Sequence, residues 1–271
     1  MKLMVQGNAV HASTGGRPHV EGRPFILFLH GSGFSHLSWV LQTRALAYDG
    51  WNVIAPDLPG HFRSGGKPLE TIEAMADWSL AILDACGAKQ AVIAGHSMGG
   101  LIALELARKA PQRVRALVLC ATALEIPVNA KLIETAEAKE PVAFASMVSW
   151  AHGSQAHLHE NTWPGASHVF FSIETMGRNA MGTLAVDLKA CAAYRGGGEA
   201  AGAIQVPALC ILAKQDRMTP IGNGRKMAAA LAGSTVLELD CGHTLMTEKP
   251  RETNAAIRAF LDKTINARAA A

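Results

Sequence analysis

Short apolar runs alternate with segments of helical periodicity along most of this chain. Apolar runs of strand length occur near residues 25 to 29, 51 to 55, 91 to 94, 114 to 120, 207 to 212 and 235 to 239. Helical periodicity lies between most of them, which is typical of a mostly parallel sheet with helices on both faces. Residues 2 to 13 predict a hairpin at an antiparallel edge, which brings the predicted sheet to eight strands.

The alternation breaks between about residues 124 and 203, where helical patterns occur without a convincing strand. This break predicts a helical cap inserted into an α/β core. The predicted division is a core of residues 1–123 and 204–271 and a cap of residues 124–203. Within the cap, helical pieces are expected around 129–151 and 174–194, and the Gly196–Gly198 run is expected to be a flexible return to the core and a candidate hinge.

Parts of this cap should cover a substrate pocket, because apolar and aromatic side chains usually line such sites. The pocket candidates are Phe34, His96, Met147, Trp150 and Trp163. The competing interpretation is that aromatic and Met side chains at helical spacing pack the cap's own core. The sequence alone leaves open which of them face a substrate.

Composition agrees with one compact catalytic unit, since 271 residues with 49% hydrophobic content can bury a large core. The net charge of +3 is small and the Lys and Arg residues are scattered, so neither nucleic acid nor an anionic membrane is predicted as a partner. The N-terminus lacks the features of a signal peptide, and no run approaches the length of a membrane span. Five widely spaced cysteines favour reduced thiols, and a cytoplasmic location is expected.

The segment Gly95-His96-Ser97-Met98-Gly99 lies between an apolar run and a helical pattern. A Gly-x-Ser-x-Gly sequence in this context is typical of a nucleophile elbow, a sharp strand-to-helix turn that exposes the serine. Glycines are needed at both flanks because larger side chains would collide with the strained turn. The new helix also directs unpaired N–H groups toward the serine oxygen. We therefore predict Ser97 as a nucleophile.

A general base and an orienting acid follow Ser97 in the chain. His243 comes just after the apolar alternation at 235 to 239, and the ordinary pKa of histidine suits a general base. Asp216 follows the buried run at 207 to 212, on a predicted loop. Ser, then Asp, then His is the order of one serine-hydrolase scaffold and differs from the orders of others. Weaker alternatives are Asp57 and Asp240 for the acid, and His61 and His96 for the base.

The first long apolar run leads into His30-Gly31-Ser32-Gly33-Phe34, a glycine-bearing loop that is able to present backbone N–H groups to a substrate oxygen. An oxyanion hole of this kind needs two donors. We predict the N–H of Met98, the residue after the nucleophile, together with that of Ser32 or Gly33. Losing one such donor typically costs about 3 kcal/mol of transition-state stabilisation.

Several of the eleven histidines invite a different interpretation, a metal site. His152, His157 and His159 lie close together with Glu160, but their order matches no common zinc pattern. A serine triad also needs no metal. Neither a metal nor an organic cofactor is therefore expected.

Together these motifs resemble those of the α/β-hydrolase fold superfamily, in particular its carboxylesterases and carbon–carbon bond hydrolases. The resemblance covers nearly the whole chain and is carried, in the family's order, by His30-Gly31-Ser32-Gly33, Asp57-Leu58-Pro59-Gly60-His61-Phe62-Arg63-Ser64, Gly95-His96-Ser97-Met98-Gly99-Gly100, Asp216 and Gly242-His243. It implies an α/β-hydrolase fold and a Ser97, Asp216 and His243 triad. One departure is Phe62, where the family usually has glycine; an aromatic there either lines the site entrance or packs beneath its loop.

The expected function is hydrolysis of a carboxylic ester of a small or medium-sized, largely apolar substrate through an acyl-enzyme intermediate. The same triad would also suit a carbon–carbon bond hydrolase of meta-cleavage products or a lactonase, because one fold hosts many reactions. No cap arginine is placed convincingly for a substrate carboxylate, with Arg178 and Arg195 as possibilities. A hydrolase-like receptor that binds a small ligand with little turnover is the alternative from a different class.

Overall fold

The apolar runs of the sequence form the strands of one sheet in the computed structural model, which describes residues 1–157 and 167–266. The strands are β1 (Lys2–Val5), β2 (Asn8–Ser13), β3 (Phe25–Leu29), β4 (Asn52–Pro56), β5 (Ala91–His96), β6 (Val114–Cys120), β7 (Ala208–Ala213) and β8 (Thr235–Leu239). Their order across the sheet is β1-β2-β4-β3-β5-β6-β7-β8. Strands β3 to β8 pair in parallel, and β1 and β2 form the antiparallel edge. The predicted eight-stranded α/β-hydrolase fold is confirmed.

Helices cover both faces of the sheet, which explains why its central strands are apolar throughout. Every residue of β5 is buried, and successive residues face opposite sides: Val92 packs in one apolar cluster and Ile93 in the other. The helices outside the long insertion are α1 (Val40–Tyr48), α2 (Ile72–Ala85), α3 (Met98–Lys109), α10 (Ile221–Ala230), α11 (Leu245–Glu248) and α12 (Pro250–Leu261). Helices α2, α3 and α10 contribute side chains to the apolar cluster that contains Ile93. Helices α1 and α12 contribute side chains to the cluster that contains Val92.

Among the described residues, the regular elements between β6 and β7 are all helices, as the break in the alternation predicts. Its helices are α4 (Ala130–Ala138), α5 (Glu140–Ala151), α6 (Ser154–His157), α7 (His168–Met176), α8 (Thr183–Ala193) and α9 (Gly197–Ala203). We call residues 124–203 the cap segment; its division from the core as a domain stays a prediction. No helix within the described ranges combines the length and apolar content needed to cross a bilayer.

Both predicted helical pieces of the cap segment are wrong in their extent, since each is interrupted. The first breaks at Lys139, because Pro141 in the first turn of α5 lacks an N–H and cannot continue the preceding helix. The second predicted piece, residues 174–194, covers the end of α7 and the whole of α8. The segment between these two helices contains Gly177 and Gly182, and Gly182 has a left-handed φ of 83°.

The Gly196–Gly198 run is not the expected flexible return, because α9 begins at Gly197. A Cβ at Gly197 would lie 1.8 Å from the carbonyl oxygen of Leu124, at the start of the cap segment. Glycine is therefore required there by close packing, which fixes the two ends of the cap segment against each other.

The cap segment has an apolar cluster of its own, built from α4, α5, α7 and α8. Phe34, from the loop after β3, packs into this cluster beside cap residues such as Met147, Met176 and Leu184. The cap segment is thus joined to the core by side chains that follow β3, next to the candidate site.

Candidate active site

Ser97 lies between β5 and α3 in the strained turn that the sequence predicts. Its φ of 52° and ψ of −119° are unusual for a residue other than glycine. A Cβ at Gly95 would lie 2.1 Å from the carbonyl oxygen of Gly99, and one at Gly99 would lie 2.2 Å from that of Leu29. The flanking glycines therefore let β5, α3 and β3 approach closely enough to hold Ser97 at the apex of the turn.

His243 and Asp216 meet after the ends of β8 and β7. His243 Nδ1 lies 2.7 Å from Asp216 Oδ2, and both side chains are almost fully buried. The backbone N–H of His243 donates to the carbonyl oxygen of Ala151, at the end of α5, over 2.5 Å. The rival acid Asp240 accepts a hydrogen bond from the side chain of Gln215 instead.

Asp216 is held by a local turn that the sequence analysis did not consider. Its Oδ1 accepts the backbone N–H groups of Met218 and Thr219, both over 2.8 Å. Its Oδ2, which faces His243, lies 2.7 Å from the Thr219 hydroxyl. An aspartate that bonds the backbone two and three residues on is a recognisable turn signal, so Thr219 was predictable as a supporting residue.

His96, the neighbour of Ser97 in the turn, holds the backbone of His243. Its Nε2 donates to the carbonyl oxygen of His243 over 3.0 Å, and the two rings lie 4.6 Å apart between centroids. Burial, followed by the neighbouring His243, holds the pKa of His96 well below its ordinary value, so the ring is neutral. Among the described residues, no hydrogen bond joins Ser97 Oγ to His243 Nε2; in enzymes without substrate this contact is often long.

The loop after β3 passes directly beside the nucleophile. A Cβ at Gly31 would lie 3.2 Å from Ser97 Cβ. Two backbone N–H groups here are available to a substrate oxygen: Met98 is the first residue of α3, and the N–H of Ser32 donates no hydrogen bond within the part of the chain that the structure describes. The Ser32 hydroxyl also lies 3.5 Å from Met98 Sδ, which brings the two residues together.

Gly33, the third predicted donor, is already engaged. Its N–H donates to Asp187 Oδ2 over 2.8 Å, and Asp187 belongs to α8 of the cap segment. An N–H that bonds a buried carboxylate cannot also serve the substrate. Of the two loop residues predicted as oxyanion donors, Ser32 therefore stays a candidate, and the prediction that the Gly33 N–H is a donor is wrong.

A cavity of about 130 Å³ opens above Ser97 and Ser32. Its walls are mainly apolar and come from the cap segment and its ends. The predicted lining residues Met147 and Trp150 are among them, joined by Leu132, Leu188 and Met218, which the sequence analysis missed. Apolar periodicity alone gave no signal to separate these from other cap residues.

Two of the predicted pocket residues do not line this cavity. Phe34 is buried in the apolar cluster of the cap segment, and His96 lies beneath the elbow against His243. Trp163 lies outside the described residues. The prediction was wrong for Phe34 and His96 because sequence proximity to the donors does not fix the direction of a side chain.

The polar groups at the cavity are Asn129, Cys191 and Arg217, apart from the two serines. Burial raises the pKa of the Cys191 thiol to about 12, so it is not a thiolate nucleophile. The two cap arginines considered from the sequence lie elsewhere: Arg178 packs its guanidinium 5.9 Å from the Phe62 ring centre, and Arg195 donates to backbone carbonyls of its own turn.

Phe62 occupies its glycine-like position with a left-handed φ of 37°. Its backbone N–H donates to the side-chain oxygen of Asn179 over 3.0 Å, and its ring faces His36 and two arginines. Since Phe62 does not line the cavity, it does not narrow the site. The aromatic side chain instead packs at the junction between its loop and the cap segment.

The histidines of α5 and α6 make ordinary helix-end contacts. His152 Nδ1 bonds the carbonyl oxygen of Val148, and His157 Nε2 bonds that of Ser149. His159 and Glu160 lie outside the described residues. Elsewhere in the described ranges, His11, His36 and Asp57 have ligand-type atoms within 4.8 Å of one another.

That second group is the better match to a metal, but its members already bond each other. Asp57 Oδ1 accepts both the backbone N–H and Nδ1 of His36, each over 2.8 Å. Asp57 Oδ2 accepts the N–H of Arg63 over 3.4 Å. Asp57 therefore anchors the loop that follows β4, and none of the three residues lines the cavity above Ser97.

Comparisons with known proteins agree with this geometry. The family model described as "Alpha/beta hydrolase family" matches residues 26–256. The chain is 30% identical over 257 residues to a pimeloyl-[acyl-carrier protein] methyl ester esterase of Aromatoleum aromaticum, with 85% of this chain and 95% of that protein covered. The crystal structure of the enol-lactonase from Burkholderia xenovorans superimposes with a TM-score of 0.87 at 26% identity, covering 96% of this chain and 99% of that one.

A further match covers only part of its relative. The chain is 39% identical over 118 residues to a putative non-heme haloperoxidase of Mycobacterium phage D29, which is 43% of this chain and 41% of that protein. The chain therefore spans less than half of that relative, whereas the methyl ester esterase and the enol-lactonase are matched almost from end to end.

Proposed function

Because this chain belongs to the alpha/beta hydrolase family, we propose that it is a serine hydrolase that cleaves a carboxylic ester of a small or medium-sized, largely apolar substrate. The observation that carries the proposal is the buried contact of 2.7 Å between His243 Nδ1 and Asp216 Oδ2, next to the strained turn of Ser97. An imidazole held in this way has its other nitrogen available as a general base.

In the proposed first half-reaction, His243 Nε2 takes the proton of Ser97 Oγ as that oxygen bonds the ester carbonyl carbon. The carbonyl electrons move onto the oxygen, which accepts the N–H groups of Met98 and Ser32. When the carbonyl re-forms, the bond to the alcohol oxygen breaks, and the His243 proton goes to this leaving group. The products are the free alcohol and an acyl group on Ser97.

In the second half-reaction, water replaces the alcohol. His243 removes a proton from the water, whose oxygen attacks the acyl carbon, and the proton then returns to Ser97 Oγ as the acid leaves. Asp216 stays ionised throughout and stabilises the imidazolium that forms twice in each cycle. The carboxylate keeps its two backbone hydrogen bonds, so it need not move during the reaction.

The cavity supports a compact, largely apolar substrate. Its volume of about 130 Å³ is small beside the roughly 300–1,000 Å³ of pockets for drug-sized ligands. Leu132, Met147 and Leu188 offer no hydrogen bonds, which favours aliphatic groups. A short acyl chain is therefore the best occupant.

A lactone is the second candidate substrate, supported by the likeness to the enol-lactonase. A lactone is a cyclic ester, so the same attack by Ser97 opens its ring, and the alcohol stays tethered to the acyl group. Carbon–carbon bond cleavage and ligand binding with little turnover are the alternatives that stay open if neither esters nor a lactone are hydrolysed.

Steady-state hydrolysis of p-nitrophenyl acetate, butyrate and octanoate, with the lactone γ-butyrolactone in parallel, tests the proposal. We expect multiple turnover, with kcat/KM lower for octanoate than for butyrate, and background rates for Ser97→Ala. Lactone opening much faster than ester hydrolysis would favour the second candidate. Absence of turnover with every substrate would contradict an ester hydrolase, and undiminished turnover by Ser97→Ala would contradict Ser97 as its nucleophile.

We also propose a reducing, cytoplasmic environment, which the cysteines support. All five thiols are free, and Cys120, Cys191, Cys210 and Cys241 are buried. Burial also raises the pKa of the Cys210 thiol to about 12, so it is protonated and slow to form a disulfide. The expected partner is a small-molecule substrate.

A further inference from the structure

The cap segment clamps the backbone at Gly33, directly after the proposed oxyanion donor Ser32. The N–H of Gly33 donates to Asp187 Oδ2 over 2.8 Å, and its carbonyl oxygen accepts the side-chain amide of Asn179 over 2.6 Å. Gly33 has a left-handed φ of 70°, and a Cβ there would lie 2.8 Å from Met176 Cε. Both sides of this residue are therefore fixed by cap side chains.

Asp187 is fixed in turn by His61, from the loop that follows β4. His61 Nε2 lies 2.9 Å from Asp187 Oδ2, and His61 Nδ1 lies 3.1 Å from the carbonyl oxygen of Pro59. A carboxylate and a carbonyl oxygen only accept hydrogen bonds, so both ring nitrogens must carry hydrogen. His61 is therefore an imidazolium, 1% exposed, paired with a carboxylate that is fully buried.

The surroundings of His61 support its positive charge. Burial alone would lower the pKa of His61, but the charge and hydrogen bond of Asp187 outweigh it and raise the pKa above its ordinary value. The other titratable groups that face it are His30, with ring centroids 4.8 Å apart, and Asp57. Burial lowers the pKa of His30 to about 4, and its Nε2 accepts the N–H of Leu58, so His30 is neutral.

We infer that Asp187 and His61 are positioning residues for the oxyanion hole: the imidazolium holds the carboxylate, and the carboxylate holds the peptide unit that joins Ser32 to Gly33. This inference rests on the proposed function. A peptide unit is planar, so holding the Gly33 N–H also holds Ser32 Cα in place, and this limits where the Ser32 N–H in the preceding peptide unit can lie relative to the substrate oxygen.

The same contacts connect the cap segment to the chemistry. Asp187 lies on α8 and Asn179 in the turn before it, whereas Ser32 and Ser97 belong to the core. The second oxyanion donor is consequently in place only when the cap segment is docked. A substrate that displaces α8 would lose a donor as well as a pocket wall.

A matched control is available within the cap segment itself. Glu140 also accepts two backbone N–H groups, those of Gly182 and Leu184 at the start of α8, over 3.1 and 3.2 Å. Unlike Asp187, Glu140 has no recorded hydrogen bond to the loop after β3 within the described residues. Its removal should therefore weaken the cap segment without releasing Gly33.

The experiment measures the rate at which a fluorophosphonate labels Ser97, which depends on the oxyanion hole but not on the identity of the ester. For Asp187→Ala we expect labelling, and kcat for p-nitrophenyl butyrate, to fall by about tenfold to a hundredfold, because a donor is misplaced rather than removed. KM should change by less than about twofold, since ground-state contacts are kept. Glu140→Ala should label within about twofold of the wild type.

Asp187→Asn provides a second readout and covers the case in which Asp187→Ala does not fold. It keeps an oxygen acceptor but loses the charge that holds the His61 proton. In the wild type the labelling rate should fall at high pH, as His61 loses its proton. This fall should occur at lower pH in Asp187→Asn and at the wild-type pH in Glu140→Ala. Melting curves of each variant report whether the fold is intact.

Several results would overturn the inference. One is that Asp187→Ala or Asp187→Asn folds and is labelled at the wild-type rate. Another is that Glu140→Ala loses as much labelling rate as Asp187→Ala, because the stability of the cap segment would then explain the whole effect. If the wild type labels but hydrolyses no ester, the proposed function fails while the labelling rates still decide the role of Asp187. A wild-type chain that does not label would overturn both.

Discussion

The two halves of the candidate site are built in different ways. In the triad half, Asp216 and His243 follow neighbouring parallel strands and lie 27 residues apart in the chain. In the oxyanion half, Asp187 reaches Gly33 across 154 residues and His61 across 126. The side chains of the proposed acid–base pair thus meet within the core, with one backbone hydrogen bond from His243 to Ala151 of the cap segment, whereas cap side chains hold both the N–H and the carbonyl oxygen of Gly33 in the proposed oxyanion loop.

This difference separates what each half contributes. In the proposed mechanism the triad half supplies the nucleophile and moves protons, and the side-chain hydrogen bonds of Asp216 lie within a local turn and between adjacent strand ends. In the same mechanism the oxyanion half stabilises charge, and it contains the buried pair of His61 and Asp187, which joins the loop after β4 to the cap segment. Changes at Asp187 or Asn179 should therefore alter turnover without removing a contact of the proposed triad.

The largest effect is expected in the triad half, from Asp216→Asn. The amide would favour the wrong tautomer of His243, with a loss in kcat of about 10⁴-fold while the geometry is kept. Steady-state hydrolysis of p-nitrophenyl butyrate measures this loss. Asp240→Asn is the matched control, since Asp240 contacts Gln215 and not His243. An Asp240→Asn variant with the greater loss would show that the acid is misassigned.

The second prediction concerns the oxyanion half and its ion pair. The pKa of His61 is raised above 6.5 in the folded protein, so the pair contributes its full stability below that pH and loses it as pH rises through the raised value. Asp187→Asn should therefore lower the free energy of unfolding by about 2 kcal/mol near pH 6. This loss should shrink toward pH 9.

Urea unfolding at a series of pH values measures this dependence. Glu140→Gln serves as the control, because Glu140 bonds two backbone N–H groups and no histidine. Its effect on the free energy of unfolding should vary much less over the same range. A pH-independent difference between the wild type and Asp187→Asn would contradict a charged pair.

The smallest effect is expected from Thr219→Val, which removes a support of the triad acid. The single hydrogen of this hydroxyl is shared between Asp216 Oδ2 at 2.7 Å and the carbonyl oxygen of Ala121 at 2.9 Å. Its loss should reduce kcat by about fivefold, in keeping with a hydrogen bond worth ~1 kcal/mol. A reduction as large as that of Asp216→Asn would mean that Thr219 fixes the whole turn.

The positions of the three proposed triad residues could be predicted from the sequence because each of them follows an apolar run with a local signature. Ser97 has flanking glycines, Asp216 follows β7, and His243 follows β8. Strand ends of a parallel sheet meet at one edge, so chain order was enough to bring these residues together. The strand positions were predictable for the same reason, since apolar runs of this length between helices form buried strands.

The oxyanion half could not be predicted to the same depth. Nothing local distinguishes Ser32 from Gly33 as a donor; the carboxylate that engages Gly33 lies in a helix of the cap segment. Phe34 has the apolar character of a pocket residue but packs in the cap's own cluster, because periodicity does not record which neighbour covers a side chain. Long-range packing decided both cases.

Mass analysis of the protein after reaction with a fluorophosphonate tests the central claim most directly. The account predicts one phosphonyl group per chain, on the peptide that carries Ser97, and no labelling of folded Ser97→Ala. An adduct on another residue, or equal labelling of the Ser97→Ala variant, would contradict the assignment of Ser97 as the nucleophile of this hydrolase.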